Sequence, residues 1–206
     1  MAQVRLTALG DSFVEGHGDV LADGGFRGWI PRLAERLGLA GGRCRNLGSF
    51  GATTQDVVSG QLGASLVNKT PLIGVVVGMN DLISDYEPER FRRNVELIFS
   101  TLGGPNTTVF SATYPVIPRI TALPESFRRV MTARFDEANE VVRELTARHG
   151  VLCLDVARAP EWNGPDLWAD DGLHPGPEGH RRFADGMAEL VGISTGMTVD
   201  AGMWVG

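Results

Sequence analysis

Five short apolar runs, at residues 4–9, 43–47, 72–77, 108–113 and 151–155, alternate with longer stretches whose apolar positions recur at helical spacing. Short continuous runs suit strands buried on both faces, and longer periodic stretches suit helices laid over them. Residues 28–37 put Trp29, Ile30, Leu33 and Leu37 on one face, with Gly38 as a stop. Residues 89–102 repeat the logic with Phe91, Val95, Ile98, Phe99 and Leu102, between Pro88 and Gly103-Gly104. The longest periodic stretch, 124–149, closes at Gly150, and a last helix is predicted from near Pro177 to about Val191. The alternation predicts a three-layer α/β domain around a parallel sheet.

No linker or low-complexity segment divides the pattern, so residues 1–192 are expected to form one domain. Residues 193–206, with seven irregularly spaced apolar residues, form a C-terminal extension to which the pattern assigns no role. A chain of 206 residues, 43% apolar, is long enough to bury a single core.

Charge and cysteine content narrow the function classes. A formal charge of -6 and a pI near 5.2 oppose a nucleic-acid surface, since a polyanion calls for a field of the other sign. The paired arginines 92–93, 128–129 and 181–182 fall in helical stretches and read as solvated faces. No run approaches the roughly 20 apolar residues that cross a bilayer, and the N-terminus enters a strand-like pattern at once. No membrane association and a cytoplasmic location are therefore expected. Cys44 and Cys153 are too few for a disulfide framework or a four-ligand zinc site, and in apolar runs they are expected to be buried thiols.

In open parallel sheets reactive groups gather where strands end, and four such places carry unusual polar residues. Gly10-Asp11-Ser12-Phe13 follows the first run; a serine there is exposed at a turn whose N–H groups point the same way, although Asp and Ser are also ordinary helix caps. Gly51 follows the second run, where it either opens a backbone N–H to close approach or simply turns the chain. Gly78-Met79-Asn80-Asp81 ends the third, with the Asn80 amide suited to stabilising negative charge on oxygen, or the pair to starting a turn. In Asp171-Gly172-Leu173-His174-Pro175 the aspartate can reach one imidazole nitrogen and leave the other for a nucleophile.

Together these four blocks resemble the SGNH subgroup of the GDSL esterase/lipase hydrolases, with Phe13 where leucine is usual. The resemblance implies a flavodoxin-like sheet of about five strands in the order 2-1-3-4-5, which would set Cys44 and Cys153 at opposite edges, beyond disulfide reach. It implies Ser12 as nucleophile, His174 as general base, Asp171 as its orienting carboxylate, and an oxyanion hole from the Ser12 and Gly51 N–H groups and the Asn80 side chain. The expected reaction is hydrolysis of a small acyl ester through an acyl-enzyme, with neither metal nor organic cofactor. Acyl transfer to an alcohol or amine is the alternative, and a non-catalytic binding module a third.

Met79, Tyr114 and Trp168 fall in or beside the same loops and serve equally as acyl-pocket or core residues. His17, five residues after Ser12, either lines the substrate entrance or is a solvated loop residue, while His149 and His180 read as structural. Asp11 and Asp81 read as braces for their turns. Pocket size is expected to depend on the loops 19–26, 115–124 and 157–170.

Overall fold

The computed structural model describes residues 5–39, 43–67, 69–115, 117 and 124–199. Its centre is a parallel sheet of β1 (Leu6–Gly10), β2 (Cys44–Asn46), β3 (Leu72–Val76), β4 (Thr108–Ala112) and β5 (Leu152–Leu154), ordered β2-β1-β3-β4-β5. In register, Leu6 lies against Leu72 and Gly10 against Val76. All five predicted strands are present in the implied order. Val4, and residues 200–206 of the C-terminal stretch, lie outside the described residues.

Because side chains alternate across a strand, the central strands feed two cores. Leu9, Ile73, Val75, Val77 and Val109 face one, which is covered by α6 (Pro88–Leu102) and α7 (Glu125–His149). Leu6, Ala8, Leu72, Val76, Phe110 and Ala112 face the other, under α2 (Trp29–Arg36) and α8 (Pro177–Thr195). Gly74 makes room on that second face: a Cβ there would come within 2.6 Å of the Phe110 ring.

The helix ends follow from sequence. Pro88 opens α6 behind Glu87, whose carboxylate accepts the Glu89 and Arg90 N–H groups. Arg148 and His149 occupy the last turn of α7, where the dipole favours cations, and Gly150 ends it in the left-handed conformation. The last helix runs to Thr195, beyond the expected Val191, and Met197 and Val199 continue to pack on the α2/α8 core. Among the described residues no helix is long and apolar enough to cross a membrane.

Three features depart from the expected pattern. Residues 54–66 coil as α3 (Thr54–Asp56), a π-helical turn Val57–Gln61, and α4 (Leu62–Leu66), where no helix is predicted, ahead of β3 and the short α5 (Met79–Ile83). Residues 156–167 form three short 3-10 turns. Cys44 and Cys153 are free but only partly buried, because β2 and β5 are the edge strands and each has a neighbour on one side alone. Desolvation still raises both thiol pKa values.

Candidate active site

Three segments meet at the carboxyl end of the sheet. The first is the turn from β1 into α1 (Ser12–Glu15). Gly10 adopts φ 154°, and a Cβ on it would sit 2.0 Å from the Val76 carbonyl oxygen, so only glycine lets the chain turn here. The Gln61 side chain clamps the same residue, accepting the Gly10 N–H and donating to the Gly10 carbonyl, both at 2.8 Å. Asp11 caps α1 by accepting the Phe13 N–H at 3.0 Å, the bracing role expected of it.

The second segment joins the end of β3 to the turn after β2. Asn80 Nδ2 donates to the Ala52 carbonyl at 2.9 Å, which uses one of its two N–H groups. Asp81 accepts the Thr54 N–H at 2.8 Å and the Thr54 hydroxyl at 2.7 Å, and Asn94 donates to the same hydroxyl at 3.1 Å. These bonds lock residues 52–54, and with them the Gly51 turn (φ 74°), onto the Asn80 loop.

The third segment is the loop that returns from β5 to α8. It folds on itself through Ala169 N–H to the His174 carbonyl and Gly176 N–H to the Leu167 carbonyl, at 2.9 and 2.8 Å. The 16–18 turn presses against it so closely that a Cβ on Gly18 would lie 2.0 Å from the Pro175 carbonyl oxygen. Within the loop, Asp171 Oδ1 accepts the Leu173 and His174 N–H groups at 2.9 Å. Asp171 Oδ2 lies 2.6 Å from His174 Nδ1, and His174 Nε2 lies 2.9 Å from Ser12 Oγ.

The tautomer follows from this line of contacts. An ionised carboxylate only accepts, so Nδ1 carries the proton and Nε2 is left to accept from the serine hydroxyl. Burial alone would raise the Asp171 pKa, but the bonds from the His174 ring and the His174 and Leu173 N–H groups outweigh it and hold the carboxyl below its usual value. Such an arrangement can take the proton from Oγ and stabilise the imidazolium that results.

Beneath it the acids behave differently. Burial pushes Asp11 up to about 7 against the pull of the Phe13 N–H, with the Asp81 charge adding to the rise. Burial likewise raises Asp81, with the Thr54 bonds opposing.

Met79, Tyr114 and Trp168 all line a cavity that opens beside Ser12, Asn80 and His174. Tyr114 is also a core residue, 4% exposed, with its hydroxyl donating to the Val77 carbonyl at 2.6 Å. His17 does not line the cavity: its ring packs between Phe26, Phe50 and His174, at 4.1, 4.9 and 5.5 Å, with Nε2 3.2 Å from Glu15 Oε2. His180 is fully buried, donates from Nε2 to the His17 carbonyl at 2.7 Å and stacks on Phe13; burial lowers its pKa to about 4. Gly51 itself is exposed, while its neighbour Phe50 reaches the cavity.

Gln61, Asn94, Phe50, Ile117 and Trp162 escape a reading by strand ends. The first two lie in helices far along the chain from their partners, and the others carry no chemistry of their own. Of the loop 115–124, residues 116 and 118–123 lie outside the described residues. No group of three or more His, Cys, Asp and Glu side chains among the described residues is arranged to hold a metal ion.

Comparison with known proteins bears on the fold and the family. No curated protein matches the chain. Among solved structures, a lipase/acylhydrolase from Enterococcus faecalis is 22% identical, with a TM-score of 0.70 over 91% of this chain and 94% of that one. An acetyl xylan esterase from Geobacillus stearothermophilus is 18% identical, with a TM-score of 0.69 over 91% and 94%. At such identities these likenesses establish the fold. The profile of the GDSL-like lipase/acylhydrolase family matches residues 8–182, which contain every candidate residue above; the chain belongs to that family and is a serine hydrolase of its esterase type.

Proposed function

We propose that this enzyme hydrolyses a carboxylic ester through an acyl-enzyme on Ser12. The observation that carries the reading is the unbroken line from Asp171 through His174 to Ser12 Oγ, with contacts of 2.6 and 2.9 Å, assembled from segments 162 residues apart in sequence. Ser12 Oγ attacks the ester carbonyl while His174 Nε2 takes the hydroxyl proton, and Asp171 stabilises the imidazolium.

Negative charge on the carbonyl oxygen is met by the Ser12 N–H at the start of α1, the Gly51 N–H and the free N–H of Asn80. Asn80 and Asp81 hold the Gly51 turn in place through Ala52 and Thr54. As the tetrahedral intermediate collapses, His174 gives its proton to the leaving alcohol. Water, deprotonated by the same nitrogen, then attacks the acyl-enzyme and releases the acid.

The test is turnover of p-nitrophenyl esters by the wild type and Ser12→Ala. The reading expects the variant to lose at least about a thousandfold in kcat while melting at the wild-type temperature. Turnover unchanged in Ser12→Ala would remove the proposal. Because hydrolysis and acyl transfer share the acyl-enzyme, product analysis with an added alcohol acceptor separates them.

A further inference from the structure

We infer that Phe50 is the platform for the alcohol half of the substrate, and that this alcohol carries a neutral aromatic ring close to the ester oxygen. The inference rests on the reading of Ser12 as nucleophile and His174 as its base and acid.

The exposure of Phe50 is the first observation. Its surface is 66% open, although it lines the cavity together with Ser12, Asn80 and His174. A lone exposed phenylalanine on a distant surface asks for no explanation, but this one stands at the reacting centre. The turn that carries it is tied at both ends. The Ser49 N–H donates to the Gly10 carbonyl at 3.2 Å, and the Ala52 N–H to the Ser49 carbonyl at 3.1 Å. Just before it, a Cβ on Gly48 would lie 2.5 Å from the Glu15 backbone nitrogen. A packed turn therefore holds the ring out.

The rings around it are the second. His17 backs Phe50 at 4.9 Å with 41° between the planes, and packs on Phe26 at 4.1 Å and on His174 at 5.5 Å. Phe50 and His174 lie 6.3 Å apart at 33°. Four rings thus fan at shallow tilts along one side of His174. The series ends at the open surface of Phe50, where one more ring would extend it.

The direction of the reaction is the third. In the proposed step His174 Nε2 gives its proton to the leaving oxygen, which must come within hydrogen-bond reach of that nitrogen. The carbonyl oxygen meanwhile turns to the N–H of Gly51, the residue after Phe50. The alcohol half therefore leaves on the His174 side, where Phe50 offers its surface.

The class of alcohol follows from what the shelf can bind. Nearby polar side chains are engaged: Glu15 with His17 Nε2 at 3.2 Å, and Asn46 with the Val14 carbonyl at 2.7 Å and the Gly48 N–H at 2.8 Å. What is left is a π-face, which an aromatic ring meets in offset or edge-on geometry and a saturated ring does not. The carboxylates of Glu15 and Asp171 on the same side oppose an anionic alcohol.

The experiment compares kcat/KM for benzyl, cyclohexylmethyl and ethyl acetate, which share one acyl group and have similar leaving alcohols. Benzyl acetate is expected to exceed cyclohexylmethyl acetate by about two- to tenfold. Simple apolar transfer predicts the reverse, because the saturated ring is the more hydrophobic. In Phe50→Ala and Phe50→Leu the benzyl-to-cyclohexylmethyl ratio should fall towards one, and Phe50→Tyr should keep it. A ratio taken on one sample cancels any loss of folded protein and any shift of the Gly51 turn.

A wild-type ratio at or below one, or a ratio unchanged in Phe50→Leu, would overturn the inference. Ser12→Ala separates the two readings. If it silences all three esters while the wild-type ratio is flat, only the platform falls. If all three are still hydrolysed, the nucleophile falls and the platform with it.

Discussion

The floor of the site and the loop that closes it treat their carboxylates in opposite ways. Asp11 and Asp81 in the floor are 3% and 4% exposed, and burial raises both pKa values, that of Asp11 to about 7. Asp171 in the loop has a side chain half open to solvent, and three hydrogen bonds hold it below the usual value. The difference is one of desolvation set against hydrogen bonding. In the proposed reaction the carboxylate that holds a full charge beside an imidazolium is the one kept near water and well bonded. Those that only brace backbone turns are packed away, where their protonation matters to the fold. The floor supplies rigidity and the loop supplies charge.

The most severe way to break this comparison is to neutralise the loop carboxylate. Asp171→Asn keeps the shape but offers an amide to His174 Nδ1 and favours the wrong tautomer, so kcat should fall by about 10³- to 10⁴-fold with the fold intact. A loss below about tenfold would mean that the exposed charge is incidental. Next is Asn80→Ala, which removes a donor at the junction of the two regions: kcat is expected to drop about 10²- to 10³-fold with KM little changed.

Thr54→Val probes the floor alone. It deprives Asp81 of a buried donor and Asn94 of an acceptor, so unfolding in urea should show a loss of about 1–3 kcal/mol. Turnover should fall far less than in Asn80→Ala.

The smallest effect is in the pH dependence of stability. Asp11 titrates near 7 when folded and at the ordinary 3.8 when unfolded, so the native state holds the extra proton between them. Its contribution is full below 3.8 and lost as pH rises through 7. His180 runs the other way, with a folded value near 4 against 6.5. Its contribution is full above 6.5 and lost as pH falls through 4. Across the shared window, from about pH 4 to 6.5, the two oppose each other. Asp11→Asn should leave stability rising with pH there, as read from urea midpoints, more steeply than in the wild type. Identical slopes would show that Asp11 does not titrate with a raised pKa.

The sequence and the structure agree most closely where a pattern is local. A run such as Leu72–Val77 is apolar because both faces of β3 are covered, and it stops at Gly78 because the chain must turn there. The polar blocks stand out because they interrupt such runs, which is why Ser12, Gly51, Asn80, Asp171 and His174 are legible as candidates in the sequence. Partners set by sheet order were harder to read. Nothing near Gln61 announces that it clamps Gly10, fifty-one residues earlier, and the partial exposure of Cys44 and Cys153 depends on which strands become edges. For His17 the sequence allows either the entrance or solvent, and the ring packs against Phe26, Phe50 and His174 while the His180 bond holds its carbonyl.

The central claim is that the floor presents Ser12 and the loop activates it. The most direct test is covalent capture with an organophosphonate that mimics the tetrahedral intermediate, followed by intact-mass and peptide mapping. The account predicts one phosphonyl group per chain, on Ser12, forming in step with the loss of esterase activity and far more slowly in His174→Ala. Modification of another residue, or full activity in protein labelled at Ser12, would contradict it.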